Sequence, residues 1–242
     1  MFVFTNNGGR KNLNHLRGNV DYWHRPAGAI FEISKYQTEN TKKDYDSLEN
    51  KYKEILIGSL FLMVLEKTQN QKFFISKTKD DPPDFVFMFL RKDEKNKIRL
   101  FSREVEIVRN VNSIKELEKT ILSKDKNYPK DMAILCYIET PGMTDLKSLS
   151  TNICSKLKSI SDVFILFHGG MIESIKDNVD KVDKKVSLVQ ISPGYIKYSD
   201  EIDLNEIYKN FISDGEKLIY TKDGKVYYGK RDEKEEYPKL IK

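Results

Sequence analysis

The apolar positions of the chain change period several times along its length, and each change marks an element. From Asp46, "DSLENKYKEILIGSLFLMVLEKTQ" carries Leu48, Tyr52, Ile55, Leu60 and Met63 at the three-and-four spacing of a helix, then widens into an almost wholly apolar second half. That pattern predicts a buried helix. "QKFFIS" (71–76), "PDFVFMFL" (83–90) and "KIRLFSREVEIV" (97–108) follow, rich in β-branched and aromatic residues and separated by Asp, Pro, Lys and Asn, so three strands are predicted. "NSIKELEKTILSKDK" opens on Asn112 or Ser113 as N-cap, sets Glu116 three residues past Ser113 as in a capping box, and aligns Ile114, Leu117 and Ile121 in a stripe. A helix therefore follows the third strand.

"MAILCYIE" (132–139) reads as a short buried strand, and "TDLKSLSTNICSKLKSI" as a helix with Leu146, Leu149, Ile153 and Leu157 on one face. "DVFILFHGG" and "VSLVQISPGY" add two more strands. Strand, helix and strand in that order imply a parallel, right-handed crossover. The element order α-β-β-β-α-β predicts an α/β fold with a central mixed sheet flanked by helices. This core spans 46–200. Residues 1–45, mixing Gly, Asn and basic residues with the single Trp, read as an N-terminal arm. Residues 201–242 read as an appended helix, "LNEIYKNFI", a hairpin, "KLIYTKDGKVYYGK", turning at Asp223-Gly224, and a solvated tail.

At 242 residues the chain fits one domain with appendages. Its 39% hydrophobic and 11% aromatic residues are enough for a core, which excludes disorder over most of the length despite 33% charged residues. Lys and Arg number 42 against 37 Asp and Glu, a net charge of +5 that permits a polyanionic partner without requiring one. Cys136 and Cys154 lie in apolar-periodic segments without CxxC spacing, so buried thiols are expected rather than a disulfide or zinc site. The longest apolar run, Ile55 to Leu65, is shorter than the roughly 20 residues a bilayer requires, and the N-terminus turns polar after four residues, unlike a secretory leader. The expected location is cytoplasmic, with no membrane partner.

Charge in the strands is the feature that points to chemistry. Asp84, Glu104 and Glu106 stand within segments that otherwise read as apolar strands. If the second and third strands form a hairpin with Leu90 opposite Ile98, Asp84 falls opposite Glu104, and Glu106 shares that face because strand side chains alternate with period two. Arg103, Val105 and Ile107 then point the other way. Like charges so close destabilise a sheet unless a cation compensates, and an oxygen-rich cluster suits Mg²⁺ or Mn²⁺. The alternative is a salt-bridged sheet face balanced by Lys72, Lys97 or Arg99.

A Pro-Asp dipeptide at a strand start, Pro83-Asp84, then a hairpin and the Glu104-Val105-Glu106 triplet on the next strand, with a helix before and a helix and strand after, resembles the PD-(D/E)xK nuclease superfamily. The resemblance covers roughly Ser47 to Phe167 and implies a restriction-endonuclease-like fold. It implies that Asp84 and Glu104 ligate the metal, that the Val105 carbonyl completes the site, and that Glu106 occupies the position of the motif lysine. Glu54, on the preceding helix, is a candidate further acid. A lysine in place of Glu106 would orient the attacking water and stabilise charge on the phosphorane. Glutamate would instead act as a base or as a ligand to a second metal.

The function so implied is metal-dependent hydrolysis of DNA phosphodiester bonds by an endonuclease, as in a restriction or defence enzyme. Double-stranded DNA is the expected partner, and a homodimer would supply two active centres for cutting both strands. Arg17, Trp23 and Arg25 in the arm, and Lys222 and Lys225 among the tyrosines of the hairpin, are candidates to meet phosphates and stack on bases. Against this, Trp23 would serve equally to anchor the arm to the core, and lysines guard edge hairpins. Two other readings remain: a catalytically inactive nuclease-fold module that binds nucleic acid or a protein, and an assembly protein. His168, ending a strand in "FHGG", and the Gly169-Gly170 pair, which lacks a nucleotide-cradling context, read as structural.

Overall fold

The computed structural model of the chain describes residues 23–39, 49–77, 83–92, 98–109, 113–128, 132–138, 145–168, 185–201, 216–220, 226–230 and 239–240. A short strand β1 (Trp23–His24) leads into α1 (Pro26–Glu39), whose first residue is a proline, preset for a helix start and lacking only an N–H that would be unpaired there. Helix α2 (Asn50–Gln69) ends at Asn70, which takes the left-handed conformation at φ 50°. Three strands follow: β2 (Phe73–Lys77), β3 (Phe85–Lys92) and β4 (Ile98–Val108). Helix α3 (Ile114–Asn127) is capped by Ser113, whose Oγ accepts the N–H of Glu116. After β5 (Ala133–Ile138), α4 (Leu146–Cys154) is capped by Asp145, which accepts the N–H of Ser148.

The remaining strands are β6 (Asp162–His168), β7 (Lys185–Ser192), β8 (Ile196–Glu201), β9 (Glu216–Tyr220), β10 (Val226–Lys230) and β11 (Lys239–Leu240). All described strands join one sheet in the order β11-β10-β9-β1-β2-β3-β4-β5-β6-β7-β8. The pairs β4–β5 and β5–β6 are parallel, each bridged by a helix, and every other pair is antiparallel. The core is thus a mixed α/β sheet, β2 to β8, flanked by helices.

Strand alternation sorts the apolar side chains into two cores. Phe85, Phe87, Val105, Ile107, Leu135 and Phe164 pack with α1 and α2 on one face. Val108, Ile134, Cys136, Ile165 and Val189 pack with Leu117, Ile121, Leu149 and Ile153 of α3 and α4 on the other. Helix α2 lies so close to the sheet that a Cβ at Gly58 would stand 2.8 Å from the Ile75 Cδ1 and 3.0 Å from the Phe85 ring. Glycine is the residue that permits this approach.

Buried charges tie the layers together. Arg25 grips Glu66 with two hydrogen bonds, Nε to Oε1 at 3.1 Å and Nη2 to Oε2 at 3.0 Å, and Glu66 Oε1 also accepts the N–H of Phe73 at 2.8 Å. Asp125 of α3 accepts the consecutive backbone N–H groups of Lys158, Ser159 and Ile160 at 3.0, 2.8 and 2.7 Å, fixing the approach to β6. Arg103 and Asp162, both buried, pair at 3.0 Å.

Several expectations change. The segment expected as an arm holds helix α1, and β8 extends the sheet by a strand that apolar patterning did not predict. Burial pushes the Cys136 thiol pKa up, as expected for a core residue, but Cys154 is exposed. The hairpin β9–β10 pairs Tyr220 with Val226, while Asp223-Gly224 and the expected helix at 204–212 lie outside the described residues. Among the described residues no helix is long and apolar enough to cross a membrane.

Candidate functional site

The β3–β4 hairpin forms, but in a register two residues from the expected one: Leu90 faces Leu100 rather than Ile98, and Glu104 faces Val86 rather than Asp84. An even displacement leaves every side chain on its own face. Glu104 and Glu106 therefore still share a face, but Glu106 is the one near Asp84.

Asp84 sits one residue before β3, where the chain turns into the strand, and is buried. Its backbone N–H donates to the Val105 carbonyl at 3.0 Å, and its Oδ2 accepts the Ile107 N–H at 2.6 Å. Removal from water pushes its pKa up from 3.8 to about 6; the Ile107 N–H pulls against this, the charges of Glu106 and Glu54 reinforce it, and Lys51 opposes it. The carbonyl of Val105, expected as a metal ligand, is engaged by Asp84.

Glu54 arrives from the first turns of α2, where the apolar half of the helix begins, and is buried. Arg109 Nη2 lies 3.6 Å from its Oε1, and Lys51 Nζ lies 3.3 Å from its Oε2. The same Lys51 Nζ is 4.0 Å from Asp84 Oδ1. Two buried carboxylates on different elements thus face one ammonium group.

Glu106 is buried on the α3 face, where its Oε1 accepts from Lys124 Nζ at 2.6 Å and from the Tyr128 hydroxyl at 2.8 Å, and Lys124 also donates to Tyr128 at 2.9 Å. Burial lowers the Lys124 pKa, but the hydrogen bonds to Glu106 and Tyr128 outweigh it and leave the group above its ordinary value. Glu106 Oε2 is buried without a hydrogen bond, as is Glu54 Oε2. Among the described residues the counter-charges include Lys51, Arg109 and Lys124, while the expected Lys97 and the side chain of Arg99 lie outside what is described.

Lys51, Arg109, Lys124 and Tyr128 did not stand out in the sequence. Lys51 carried one usable signal, its position three residues before Glu54 on a predicted helix. Among the other expected residues, Arg25 is buried against Glu66 and is not available to a phosphate. Trp23 joins the sheet through its backbone, opposite Leu218, and His168 faces Val186 at the end of β6. Arg17, Lys222, Lys225 and the Gly169-Gly170 pair lie outside the described residues.

Carboxylate oxygens are hard ligands of the kind a divalent cation such as Mg²⁺ takes, and Glu54 Oε2, which faces Lys51, is buried without a hydrogen bond. Among the described residues no three His, Cys, Asp or Glu side chains are close enough together to hold a metal ion by themselves. Mg²⁺ does not need three: one or two carboxylates commonly hold it, with water and substrate oxygens completing the shell. Asp84 and Glu54 are two carboxylates that face one position, that of the Lys51 ammonium. No family model matches the chain, and no curated protein matches it.

Proposed function

We propose that the chain is a Mg²⁺- or Mn²⁺-dependent endonuclease that hydrolyses phosphodiester bonds in double-stranded DNA, on a restriction-endonuclease-like core. The observation that carries this reading is the meeting of buried Glu54 and Asp84, from different elements, around one cationic position, with buried Glu106 close enough to raise the Asp84 pKa. A bound divalent ion would polarise the phosphate and lower the pKa of a bound water. Asp84 and Glu54 would hold it, with Asp84 oriented by the Ile107 N–H. Glu106 stands where the motif carries lysine, and it holds the Lys124 ammonium at 2.6 Å, so positive charge is present beside that position. Glu104, half-buried on the same strand face as Glu106, would be a further carboxylate for substrate or a second ion.

Plasmid cleavage tests the reading. Nicking or linearisation should require Mg²⁺ or Mn²⁺ and vanish in Asp84→Asn and Glu54→Gln; cleavage that persists in chelator, or in both variants, excludes it.

One observation favours a second reading. Lys51, Arg109 and Lys124 already stand against Glu54, Asp84 and Glu106, so these three carboxylates have counter-charges without a metal. A catalytically inactive module on the same scaffold would retard DNA, or bind a protein, without cutting under any divalent ion.

A further inference from the structure

We propose that Lys51 is a tethered counter-cation that occupies the place of the divalent ion between Glu54 and Asp84, so that loading the site is an exchange of an ammonium group for a metal. The inference rests on the metal-dependent reading above and deepens it.

The three cations of the cluster are held differently. Lys124 is hydrogen-bonded to both Glu106 and Tyr128, at 2.6 and 2.9 Å. Arg109 approaches Oε1 of Glu54, at 3.6 Å, while Lys51 faces Oε2. Lys51 alone of the three faces both Glu54 and Asp84, and its Nζ is buried with no hydrogen bond to either. An ammonium group in that position is attracted by charge but has lost water without regaining directional partners. It is strongly held against an empty site and weakly held against a competitor of higher charge.

The side chain is also free to leave. Lys51 lies in the first turn of α2, and 35% of its side chain is exposed even with the head group inside. Its long flexible stem can carry the charge into solvent while the helix stays in place. With Lys51 inside, its charge offsets part of the repulsion between the carboxylates in the metal-free chain. With Lys51 outside, Glu54 and Asp84 present two oxygens to a dication. Lys51 therefore sets the divalent concentration at which the site fills.

Mn²⁺ binding to the full chain, followed by the loss of the free-ion paramagnetic resonance signal, tests this without reference to activity. Lys51→Met and Lys51→Gln should each bind Mn²⁺ more tightly than the parent, on the order of tenfold, the equivalent of about 1.4 kcal/mol. Lys51→Arg, which keeps the charge, should not. The Gln variant retains an amide donor for the carboxylates and guards against a Met variant that folds poorly. Equal or weaker binding by the Met and Gln variants, with Glu54→Gln abolishing binding, overturns the role of Lys51 and leaves the metal site standing. Absence of Mn²⁺ binding in every variant removes the metal site and the inference together.

Discussion

Asp84 and Ile107 clasp each other at the end of β4: the Asp84 Oδ2 accepts the Ile107 N–H at 2.6 Å, while the Asp84 N–H donates to the Val105 carbonyl at 3.0 Å. One carboxylate oxygen is thereby fixed by the strand and the other is turned toward Lys51. The backbone therefore holds one end of the carboxylate while the neighbouring charges act on the whole group.

Those charges set its proton affinity. An unfolded Asp titrates near 3.8 and Asp84 in the fold near 6, so above pH 6 the folded chain holds a charge it disfavours, and that burden fades as pH falls toward 4. Asp84→Asn should therefore melt at a higher temperature than the parent at pH 8 in chelator, with the gap closing by pH 4. A gap that is constant with pH would contradict the shifted titration.

Glu106 and Lys124 should prove interdependent. Lys124→Met leaves the buried Glu106 Oε1 with the Tyr128 hydroxyl but without its ammonium and should lower stability by about 1–3 kcal/mol in urea denaturation. Adding Glu106→Gln should recover part of that loss, giving a non-additive double-mutant cycle. Strict additivity would show that the two side chains do not interact in solution.

Asp125 should matter more than an ordinary polar residue. Asp125→Ala strips a carboxylate partner from three successive N–H groups and should cost about 2–4 kcal/mol. Amide exchange at Ser159 and Ile160 should accelerate more than at the far end of β6. Unchanged exchange there would mean that the loop is held by something else.

Arg25 offers a direct contrast between a structural and a DNA-binding arginine. Arg25→Gln removes the charge and the two-pronged grip on Glu66, and should lower stability by about 1–3 kcal/mol. The salt dependence of any DNA retention should be unchanged. A shallower salt slope with unchanged stability would return Arg25 to the interface.

The order of elements from α2 to β6 was legible because apolar period and capping residues agree there: Ser113 does cap α3, and the continuous apolar run of β5 is buried throughout. The hairpin register was not, because "RKDEKNK" contains no turn residue that dictates where pairing resumes, and Leu90 meets Leu100. Face parity survived since the slip was even. Helix α1 was hidden by Gly28, Phe31, Ile33 and Thr38, residues of modest helix propensity, although Pro26 at its first position was a legible start. At the candidate site the acids were visible and their counter-charges were not. Lys51, Arg109 and Lys124 come from three places in the chain, and only folding brings them to the carboxylates.

The sheet separates two oily compartments, one roofed by α1 and α2 and the other by α3 and α4. At the charged end both roofs reach the same strands, Lys51 and Glu54 from one side and Lys124 and Tyr128 from the other. An occupant of that end would act as a rivet through both storeys, so that the compartments melt as a single cooperative unit.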